Sequence, residues 1–498
     1  MRTDQAQRAR EAVTRADPPY KYEELASFIT HLVAIGTLRP GTRAPSLRQL
    51  CRQQHVSLST VLQAYRLLED RGVLEAKPQS GYYVARRDAV QLGKPAPSRP
   101  PARATTVAIS AVVVKLLEHA SDPRLVPLGC AIPDAELLAA GRLNRFLARA
   151  ARMHGDEHNV YTQPKGDSRL RQEISRRAVR WGQALSADDI VITFGCTEAL
   201  TLALRTLCKP ADTVAIESPV YFGLLHTLES LGLKAYELPM DPSSGVDVPA
   251  LARALETRSV KACLLSSSLN NPLGCTTSQE KKIEILDLIA RHDVPLIEDD
   301  IYGDIHFDGE RPRPFMACDR RGNTLYCSSF SKTIAPGYRV GWIVPGRHMQ
   351  KVLEHKLATT LCGTALPQAA LADFLSSGGY DSHLRRIRRT FQDNIDQTIR
   401  CVERHFPEGT RVTRPAGGFV LWLELPRRVN TRELFDEALE RGICFVPGDV
   451  FSASRRYANC LRLSCGHRWQ PRIERGIKTL GEMVQAATTH HALNSADR

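Results

Sequence analysis

Apolar residues recur at helical spacing in the first part of the chain and then change to an alternating pattern. Residues 20–38 carry apolar side chains three and four positions apart, which predicts a helix that ends before a Pro-Gly pair. A Pro-Ser pair predicts the start of a second short helix, and Ser57 predicts the N-cap of a third. Alternation on either side of residues 78–81 predicts a β-hairpin. Three helices followed by a hairpin are typical of a winged helix-turn-helix domain, which we place at residues 18–87.

The pattern changes again after this domain. Residues 88–106 are rich in Pro, Ala, Arg and Ser, a composition that favours a semi-extended tether over a packed core, so we predict a linker over residues 88–120. Helical and strand patterns then alternate, which predicts an α/β domain with a mostly parallel sheet and a small C-terminal α/β lobe over residues 121–485. The predicted strands are 189–193, 213–216, 262–266, 295–298, 324–328, 340–344 and, in the lobe, 420–425.

Composition and charge narrow the class of protein. The chain has 498 residues, 43% of them hydrophobic, and a formal net charge of +13, of which about six charges fall in residues 1–87. A basic N-terminal segment suits a nucleic-acid partner, although a solvated basic face has the same composition. The thirteen cysteines are scattered and form no Cys-x-x-Cys pair, so we predict no metal site and reduced thiols. Without a signal-peptide pattern or an apolar run of membrane-spanning length, we expect a cytoplasmic protein with no membrane partner.

The third predicted helix carries the candidate residues for reading DNA. In a helix-turn-helix the second of the paired helices enters the major groove, and its first residues approach the base edges. Those residues are Ser57, Leu58, Ser59 and Thr60. On the preceding segment Arg43, Ser46 and Arg48 can contact phosphates, and Gly81 at the hairpin tip would let the backbone approach the DNA. The alternative is a helical protein-interaction domain whose basic residues are solvated.

The local sequence of this segment decides between the two. Residues 41–50 read GTRAPSLRQL and residues 56–61 read VSLSTV, and over residues 20–85 the chain closely resembles the GntR-type winged helix. The resemblance implies double-stranded DNA as a partner. Such domains often carry Arg directly after the Val-Ser pair, whereas this chain has Leu58, which cannot hydrogen-bond a guanine. We therefore expect Leu58 to contact a thymine methyl group and the hydroxyls of Ser59 and Thr60 to meet base edges.

A second group of motifs lies in the predicted α/β domain. Lys332 follows a predicted strand in a Ser-Phe-Ser-Lys turn, and Arg339 comes within one more turn of chain. Asp299 and Tyr302 form an Asp-x-x-Tyr after another buried strand, and Asn271 opens an Asn-Pro-Leu-Gly turn. Each alone is more typical of a solvated loop. The Ser-x-x-Lys spacing also matches an acyl-transfer motif, but its companion motifs are missing.

Together these motifs meet the needs of pyridoxal phosphate (PLP). Lys332 is the amine for the PLP aldehyde, and Asp299 is the acid that keeps the ring nitrogen protonated. Asn271 and Tyr302 are the donors to the phenolate oxygen, and Tyr221 is the candidate for stacking on the ring. Helix N-terminal amides at a strand-to-helix junction, with groups near the lysine, can hold the phosphate. These candidates are Gly195, Cys196, Thr197, Ser329 and Arg339.

The order of these motifs resembles that of fold-type I aminotransferases over residues 125–485. The resemblance implies PLP as cofactor. It also implies that Tyr161 reaches the phosphate of a neighbouring subunit, and hence a homodimer with shared sites. Arg462 matches the arginine that binds a substrate α-carboxylate bidentately.

A GntR-like domain, a Pro-rich segment and an aminotransferase-like domain in one chain resemble the MocR subfamily of transcriptional regulators. The resemblance implies that PLP, or PLP with an amino acid or amine effector, changes how the DNA-binding domains act. Three functions stay open at this point: a PLP-dependent transcription factor, a working aminotransferase that carries a reader domain, and a regulator that senses ligand without turnover. The reader domain favours the first, because DNA binding adds nothing to transamination.

Overall fold

The computed structural model describes residues 21–34, 37–38, 41–70, 73–77, 80–84, 92–120, 122–153, 159–307 and 309–496. The chain divides into two units, Met1–Val90 and Gln91–Arg498.

The described residues of the N-terminal unit form three helices and a two-stranded hairpin. Its elements are α1 (Lys21–Ala34), α2 (Leu47–Gln54), α3 (Leu58–Asp70), β1 (Leu74–Lys77) and β2 (Gly81–Val84). The strands pair antiparallel, from Leu74 opposite Val84 to Lys77 opposite Gly81. The predicted winged helix-turn-helix is confirmed. The predicted domain limits, residues 18 and 87, and the turn residues 78 and 79 lie outside the described part of the chain.

A small apolar core holds this unit together. Its buried members on the helices and the hairpin are Leu25, Ala26, Ile29, Leu50, Val61, Ala64, Tyr65, Leu68, Leu74 and Val84. The Tyr65 side chain is fully buried, and its hydroxyl donates a hydrogen bond of 2.6 Å to the backbone oxygen of Pro45. This bond ties α3 to the start of α2, so it fixes the pair of helices that forms the helix-turn-helix.

The second unit is an α/β structure. Its strands are β3 (Ala104–Thr106), β4 (Val126–Pro127), β5 (Val191–Thr193), β6 (Thr213–Ser218), β7 (Lys234–Asp241), β8 (Gly245–Val246), β9 (Val260–Leu265), β10 (Leu296–Asp299), β11 (Thr324–Ser329), β12 (Gly341–Val344), β13 (Arg411–Val412), β14 (Val420–Glu424), β15 (Ile443–Cys444), β16 (Val446–Pro447) and β17 (Cys460–Ser464). Its helices are α4 (Ser110–Ala120), α5 (Ala140–Met153), α6 (Ser168–Ala178), α7 (Gly195–Leu207), α8 (Phe222–Ser230), α9 (Val248–Glu256), α10 (Gln279–Arg291), α11 (Met349–Thr359), α12 (Ala365–Ser376), α13 (Gly379–His405), α14 (Thr431–Glu440) and α15 (Pro471–Ala496).

The main sheet runs in the order β3-β7-β6-β9-β10-β11-β12-β5, with β8 paired to β7. The strands from β7 to β11 are parallel, whereas β3, β12 and β5 join through antiparallel pairs. The inner strands β6 and β11 are buried along their whole length, as expected of parallel strands covered by helices on both faces. The predicted mostly parallel sheet is confirmed. Its parallel strands bring their carboxyl ends to one edge, where ligands bind in open α/β sheets.

The small C-terminal lobe has its own antiparallel sheet, in the order β13-β14-β17-β16. Arg462 lies in β17, opposite Trp422 in β14 and Val446 in β16. A short parallel pair, β4 with β15, joins this lobe to the earlier part of the unit. The last helix continues past the predicted domain end at residue 485 to Ala496.

The predicted linker is wrong for residues 92–120, which are packed parts of the second unit. Residues 104–106 form β3 at the edge of the main sheet, and Ser98 is buried. The Ser98 hydroxyl donates to the backbone oxygen of Ser218 at 2.6 Å and accepts from the backbone N–H of Met240 at 2.7 Å. Prolines are compatible with an edge segment, because few of its N–H groups are needed for pairing. Residues 88–91 lie outside the described part of the chain.

Candidate functional site

A cavity lies at the carboxyl ends of β6, β9, β10 and β11, where the fold predicts a ligand site. Its volume is about 240 Å³. Nine of the residues predicted for cofactor or substrate line it together: Cys196, Thr197, Tyr221, Asn271, Asp299, Tyr302, Lys332, Arg339 and Arg462. The structure thus brings residues from separate stretches of the chain to one place.

Lys332 lies in the turn that follows β11. Its Nζ donates a hydrogen bond of 2.6 Å to the backbone oxygen of Ala131. Burial, together with the positive charges of Arg462 and Arg339, lowers the pKa of Lys332 to about 8. A substantial fraction of this amine is therefore neutral near physiological pH, which is the form that attacks an aldehyde.

Asp299 is the last residue of β10. Its carboxylate accepts from the backbone N–H of Ile301 at 3.3 Å and from the Cys196 thiol at 3.5 Å. Burial raises the pKa of Asp299 to about 6, and the negative charge of Asp300 acts in the same direction. Among the described residues Asp299 has no salt-bridge partner, so a cationic ring nitrogen would supply the charge that this carboxylate lacks.

The start of α7 and Arg339 form the candidate phosphate end of the cavity. Gly195 has φ +74°, and a Cβ there would lie 2.8 Å from Arg339 Nη2. The same nitrogen of Arg339 donates to the backbone oxygen of Phe194 at 3.2 Å. Free amides at the N-terminus of a 13-residue helix, with a guanidinium beside them, are suited to a phosphate. The close approach requires glycine at residue 195.

Two serines of the lysine turn occupy different places. Ser329 does not line the cavity; its Oγ accepts from the backbone N–H of Ser331 at 3.1 Å, and its side chain lines a smaller space behind the turn. Ser331 lines the cavity, and its buried Oγ has no hydrogen-bond partner among the described residues. The phosphate role predicted for Ser329 stays a prediction, and Ser331 is a cavity residue that sequence reasoning missed.

The candidate ring contacts are arranged around Asn271. Burial raises the pKa of the Tyr302 phenol, so this group stays protonated and can donate. The Asn271 side-chain oxygen accepts from Arg462 Nη1 at 3.2 Å. The Tyr221 ring lies over Gly223, where a Cβ would be 2.5 Å from the ring. The flat Tyr221 ring can therefore lie at the cavity wall because Gly223 beneath it has no side chain.

Arg462 is the most unusual charge in the cavity. The side chain is 1% exposed, and besides Asn271 it donates to the backbone oxygen of Gly129. Among the described residues its Nε is buried without a hydrogen-bond partner, and Arg462 forms no salt bridge with an acidic side chain. Burial lowers the pKa of Arg462, but a guanidinium stays charged at neutral pH. A buried charge without a counter-charge is costly, and a carboxylate ligand would supply that counter-charge.

A network of ion pairs and hydrogen bonds behind the turn that contains Lys332 holds Lys332 and Asp299 in place. The Tyr380 hydroxyl bonds to Thr333 Oγ1 and to Asp304 Oδ2, each at 3.0 Å. Arg311 donates to Asp304 at 2.6 Å and pairs with Asp300. The network joins the residue after Lys332 to the residue after Asp299, so the two groups are held by one set of bonds.

The residues around the cavity fit PLP. The amine of Lys332, the uncompensated carboxylate of Asp299 and the glycine-bounded helix start lie around one cavity. The unpartnered Ser331 Oγ and Arg462 Nε leave polar atoms for a ligand to satisfy. The donor set therefore fits PLP together with a carboxylate-bearing molecule.

Tyr161 is placed apart from the cavity. Its side chain is 83% exposed, and it does not line the cavity of its own chain. The predicted contact with a neighbouring subunit stays a prediction.

Sequence reasoning also missed the apolar and neutral part of the cavity wall. These residues include Leu117, Cys130, Ala131, Ile132, Leu200, Phe222 and Leu224. They have no motif around them, and apolar residues on helices are more often core. Leu117 belongs to α4, within the segment predicted as a linker.

The predicted DNA-reading residues lie at the start of α3 and on the segment before it. The Ser57 hydroxyl accepts from the backbone N–H of Thr60 at 3.1 Å and bonds to the Ser59 hydroxyl at 2.8 Å. The predicted N-cap at Ser57 is therefore present. Leu58 is 55% exposed, so a bulky apolar side chain is presented to solvent at the helix start.

The remaining DNA candidates are also at the surface. Arg43, Ser46 and Arg48 are not buried, and the Ser46 hydroxyl caps α2 by accepting from the backbone N–H of Gln49 at 3.2 Å. Gly81 has φ +98°, and a Cβ there would lie 3.5 Å from Arg43 Nη2. The hairpin tip and Arg43 thus form one surface, to which a phosphate can bind.

In the described part of the chain, no helix has the length and apolarity needed to cross a membrane. The same residues contain no group of three or more His, Cys, Asp and Glu side chains arranged to hold a metal ion.

Two family models match the chain. The model for bacterial regulatory proteins of the gntR family matches residues 21–84, and the model for aminotransferase class I and II matches residues 138–480. The HTH-type transcriptional regulator YdcR of Escherichia coli (strain K12) is 38% identical over 465 residues, which cover 93% of this chain and 99% of that protein.

Solved structures resemble the second unit. The multiple substrate aminotransferase from Thermococcus profundus has a TM-score of 0.71 and 26% identity, covering 76% of this chain and 95% of its own. The α-aminoadipate aminotransferase LysN from Thermus thermophilus, complexed with N-(5'-phosphopyridoxyl)-L-leucine, has a TM-score of 0.70 and 26% identity, with the same coverage.

Proposed function

The chain belongs to the aminotransferase class I and II family and carries a GntR-type DNA-binding domain, which is the arrangement of MocR regulators. From this premise we propose that the PLP cavity senses an amino compound and controls DNA binding. The cofactor is PLP. Bound through Lys332, PLP supplies an aldehyde carbon at which one amine can replace another.

The observation that carries the proposal is the charge of Arg462, which is buried without a counter-charge in the same cavity as Lys332. The chain that contains this cavity also contains a DNA-binding domain. Arg462 would bind the carboxylate of an amino acid, Asp299 would hold the ring nitrogen of PLP, and Lys332 would hold the cofactor through its aldehyde carbon, where the amino group of the effector could take the place of the lysine amine. An effector changes DNA affinity only if it binds the DNA-competent and incompetent states with different affinities. The predicted homodimer belongs to this proposal, and the exposure of Tyr161 supports it. A DNA partner supports the predicted cytoplasmic location.

The test is a DNA-binding titration of the PLP-loaded protein on duplex DNA from the region upstream of its own gene. We expect the Kd to change when an amino acid is added. Lys332→Ala should abolish the visible absorbance of bound PLP together with the response. Arg462→Met should retain the absorbance but lose the response, because it removes only the carboxylate partner. An unchanged Kd with every amino acid tested would contradict the proposal.

A second function is favoured by the completeness of the cavity. Lys332, Asp299, Asn271 and Arg462 all face it, so transamination of an amino acid meets no missing group. Steady-state release of a keto acid, abolished in Lys332→Ala, would establish turnover. Keto acid release without a ligand-dependent change in DNA affinity would favour the enzyme over the regulator.

A further inference from the structure

We propose that the amino compound is an α-amino acid with an uncharged, apolar side chain. This inference rests on the proposed function of the cavity and names the class of ligand that it takes.

Four charged side chains line the cavity within the described residues: Asp299, Lys332, Arg339 and Arg462. The first three are assigned to the ring nitrogen, the aldehyde and the phosphate of PLP. Arg462 is matched to the α-carboxylate. No charged side chain of the described wall therefore remains to pair with a carboxylate or an ammonium group on the ligand's own side chain, and burying an unpaired charge there would be costly.

Three neutral polar side chains of the wall, those of Ser268, Asn270 and Asn271, already form hydrogen bonds with other side chains. The Asn270 amide donates to Glu217 at 3.3 Å, and its oxygen accepts from the Cys275 thiol at 3.3 Å. Asn271 accepts from Arg462. The Ser268 hydroxyl bonds to that of Ser267 at 3.3 Å. These three side chains already have hydrogen-bond partners, so a polar ligand side chain would compete with those bonds and gain little from them. Ser331 Oγ, in the turn of Lys332, is the wall hydroxyl that is buried without a partner among the described residues.

The rest of the wall is apolar, and part of it is open. Val220, Phe222 and Leu224 come from the start of α8 and the residues before it, and Leu200 comes from α7. Leu117 and Ile132 are 52% and 40% exposed, although both line the cavity. An apolar ligand side chain would remove these two surfaces from water, which is favourable in proportion to the area covered.

Helix α4 offers a matched pair of residues for the test. Leu117 and Val114 are both apolar, and their exposures are nearly equal at 52% and 51%. Only Leu117 lines the cavity, while Val113 and Leu116 of the same helix are buried in the core. Substitution of Val114 therefore controls for any effect of shortening an exposed side chain on α4.

The experiment is calorimetric titration of the PLP-loaded protein, without DNA, with L-norleucine, L-glutamate, L-lysine and 4-aminobutyrate, together with the visible absorbance of the bound PLP. We expect L-norleucine to bind at least about tenfold more tightly than the other three, a size typical of discrimination by an apolar pocket. Equal or tighter binding of L-glutamate, L-lysine or 4-aminobutyrate would overturn the inference.

The variants then locate the effect. Leu117→Ala should weaken L-norleucine binding about tenfold with the PLP absorbance retained. Val114→Ala should leave the Kd unchanged. Equal losses in the two variants, or none in Leu117→Ala, would overturn the assignment of Leu117 to the ligand wall.

This result can be separated from that of the proposed function. Tight L-norleucine binding that leaves DNA affinity unchanged would overturn the regulator and support the ligand class. A DNA response to L-glutamate alone would support the regulator and overturn the ligand class.

Discussion

Lys332 and Arg462 bring two positive charges to one cavity, and the Arg462 charge is one reason why the pKa of Lys332 is lowered to about 8. The sign of the resulting pH dependence is fixed. Below the folded pKa the amine is protonated and cannot attack the aldehyde of PLP. Above it the amine is neutral and reactive. The rate of PLP uptake by the cofactor-free protein should therefore rise with pH and level off, with a midpoint near pH 8.

Stopped-flow absorbance measured from about pH 6 to about pH 10, a range that brackets the lowered pKa, checks this prediction. Arg462→Met removes a positive charge, so it should move the midpoint to higher pH. Arg462→Lys keeps the charge and should leave the midpoint near that of the wild type. A midpoint that is the same in Arg462→Met as in the wild type would show that the Arg462 charge does not act on the amine.

The residues that could be predicted from the sequence are those that end or closely follow a strand within a recognisable motif, such as Asp299 and Lys332. Ser331 could not, because it shares its motif with Ser329 and the sequence does not say which hydroxyl the turn directs into the cavity. Leu117 could not, because it lies in the segment that was predicted as a linker, and no motif marks it as part of a cavity wall. Val113 and Leu116 of the same helix are buried in the core.

At the scale of elements, the start of α7 depends on the absence of one side chain. Gly195 combines a left-handed φ of +74° with a backbone that lies against Arg339. In Gly195→Ala the left-handed backbone conformation of residue 195 costs about 1–2 kcal/mol, and the added Cβ also displaces Arg339. PLP should bind about tenfold or more weakly, measured by equilibrium dialysis.

Gly337 is the matched control for this substitution. It lies two residues before Arg339, and a Cβ there would meet nothing within 4 Å. Gly337→Ala should bind PLP as the wild type does. A loss of affinity as large as that of Gly195→Ala would mean that the region tolerates no change at all, and that the specific contact with Arg339 is not the cause.

We propose that the start of α3 and the preceding helix make two kinds of contact with DNA, which differ in their dependence on salt concentration. Arg48→Ala should weaken binding to every duplex and reduce the slope of log Kd against log salt by about 1, because one phosphate contact is lost. Leu58→Ala should weaken binding to the specific site by about 1 kcal/mol and leave the slope unchanged. Fluorescence anisotropy at several salt concentrations measures both quantities. Identical slopes in Arg48→Ala and the wild type would remove Arg48 from the phosphate contacts.

The alternation of helix and strand patterns was enough to predict the part of the main sheet from β6 to β5, but not β7, β8 and the edge strand β3 on its other side. β3 has only three residues, and the composition around it is that of a tether. What fixes the segment is contact with residues far along the chain, such as the bonds of Ser98 with Ser218 and Met240. Such contacts leave no periodic signal in a short stretch of chain.

At the scale of the whole molecule, shared active sites in a homodimer can be tested with mixed subunits. A hybrid of one Lys332→Ala chain and one Tyr161→Ala chain would contain one site with both defects and one site with neither. Each pure variant should bind little PLP at limiting concentration, whereas the purified hybrid should bind about half as much per chain as the wild type. Absorbance of two differently tagged, co-purified chains gives the measurement. A hybrid that binds no more than the pure variants would show that Tyr161 does not act across an interface.

The packed segment 92–120 also limits where recombination can exchange the DNA-binding domain of this protein for another. Recombination that joins a new DNA-binding domain at residue 121 would discard the edge strand β3 and the Leu117 wall of the cavity. A crossover N-terminal to residue 92 would keep both. A chimaeric descendant therefore keeps the ligand site intact only if it also keeps residues 92–120, although their composition is that of a linker.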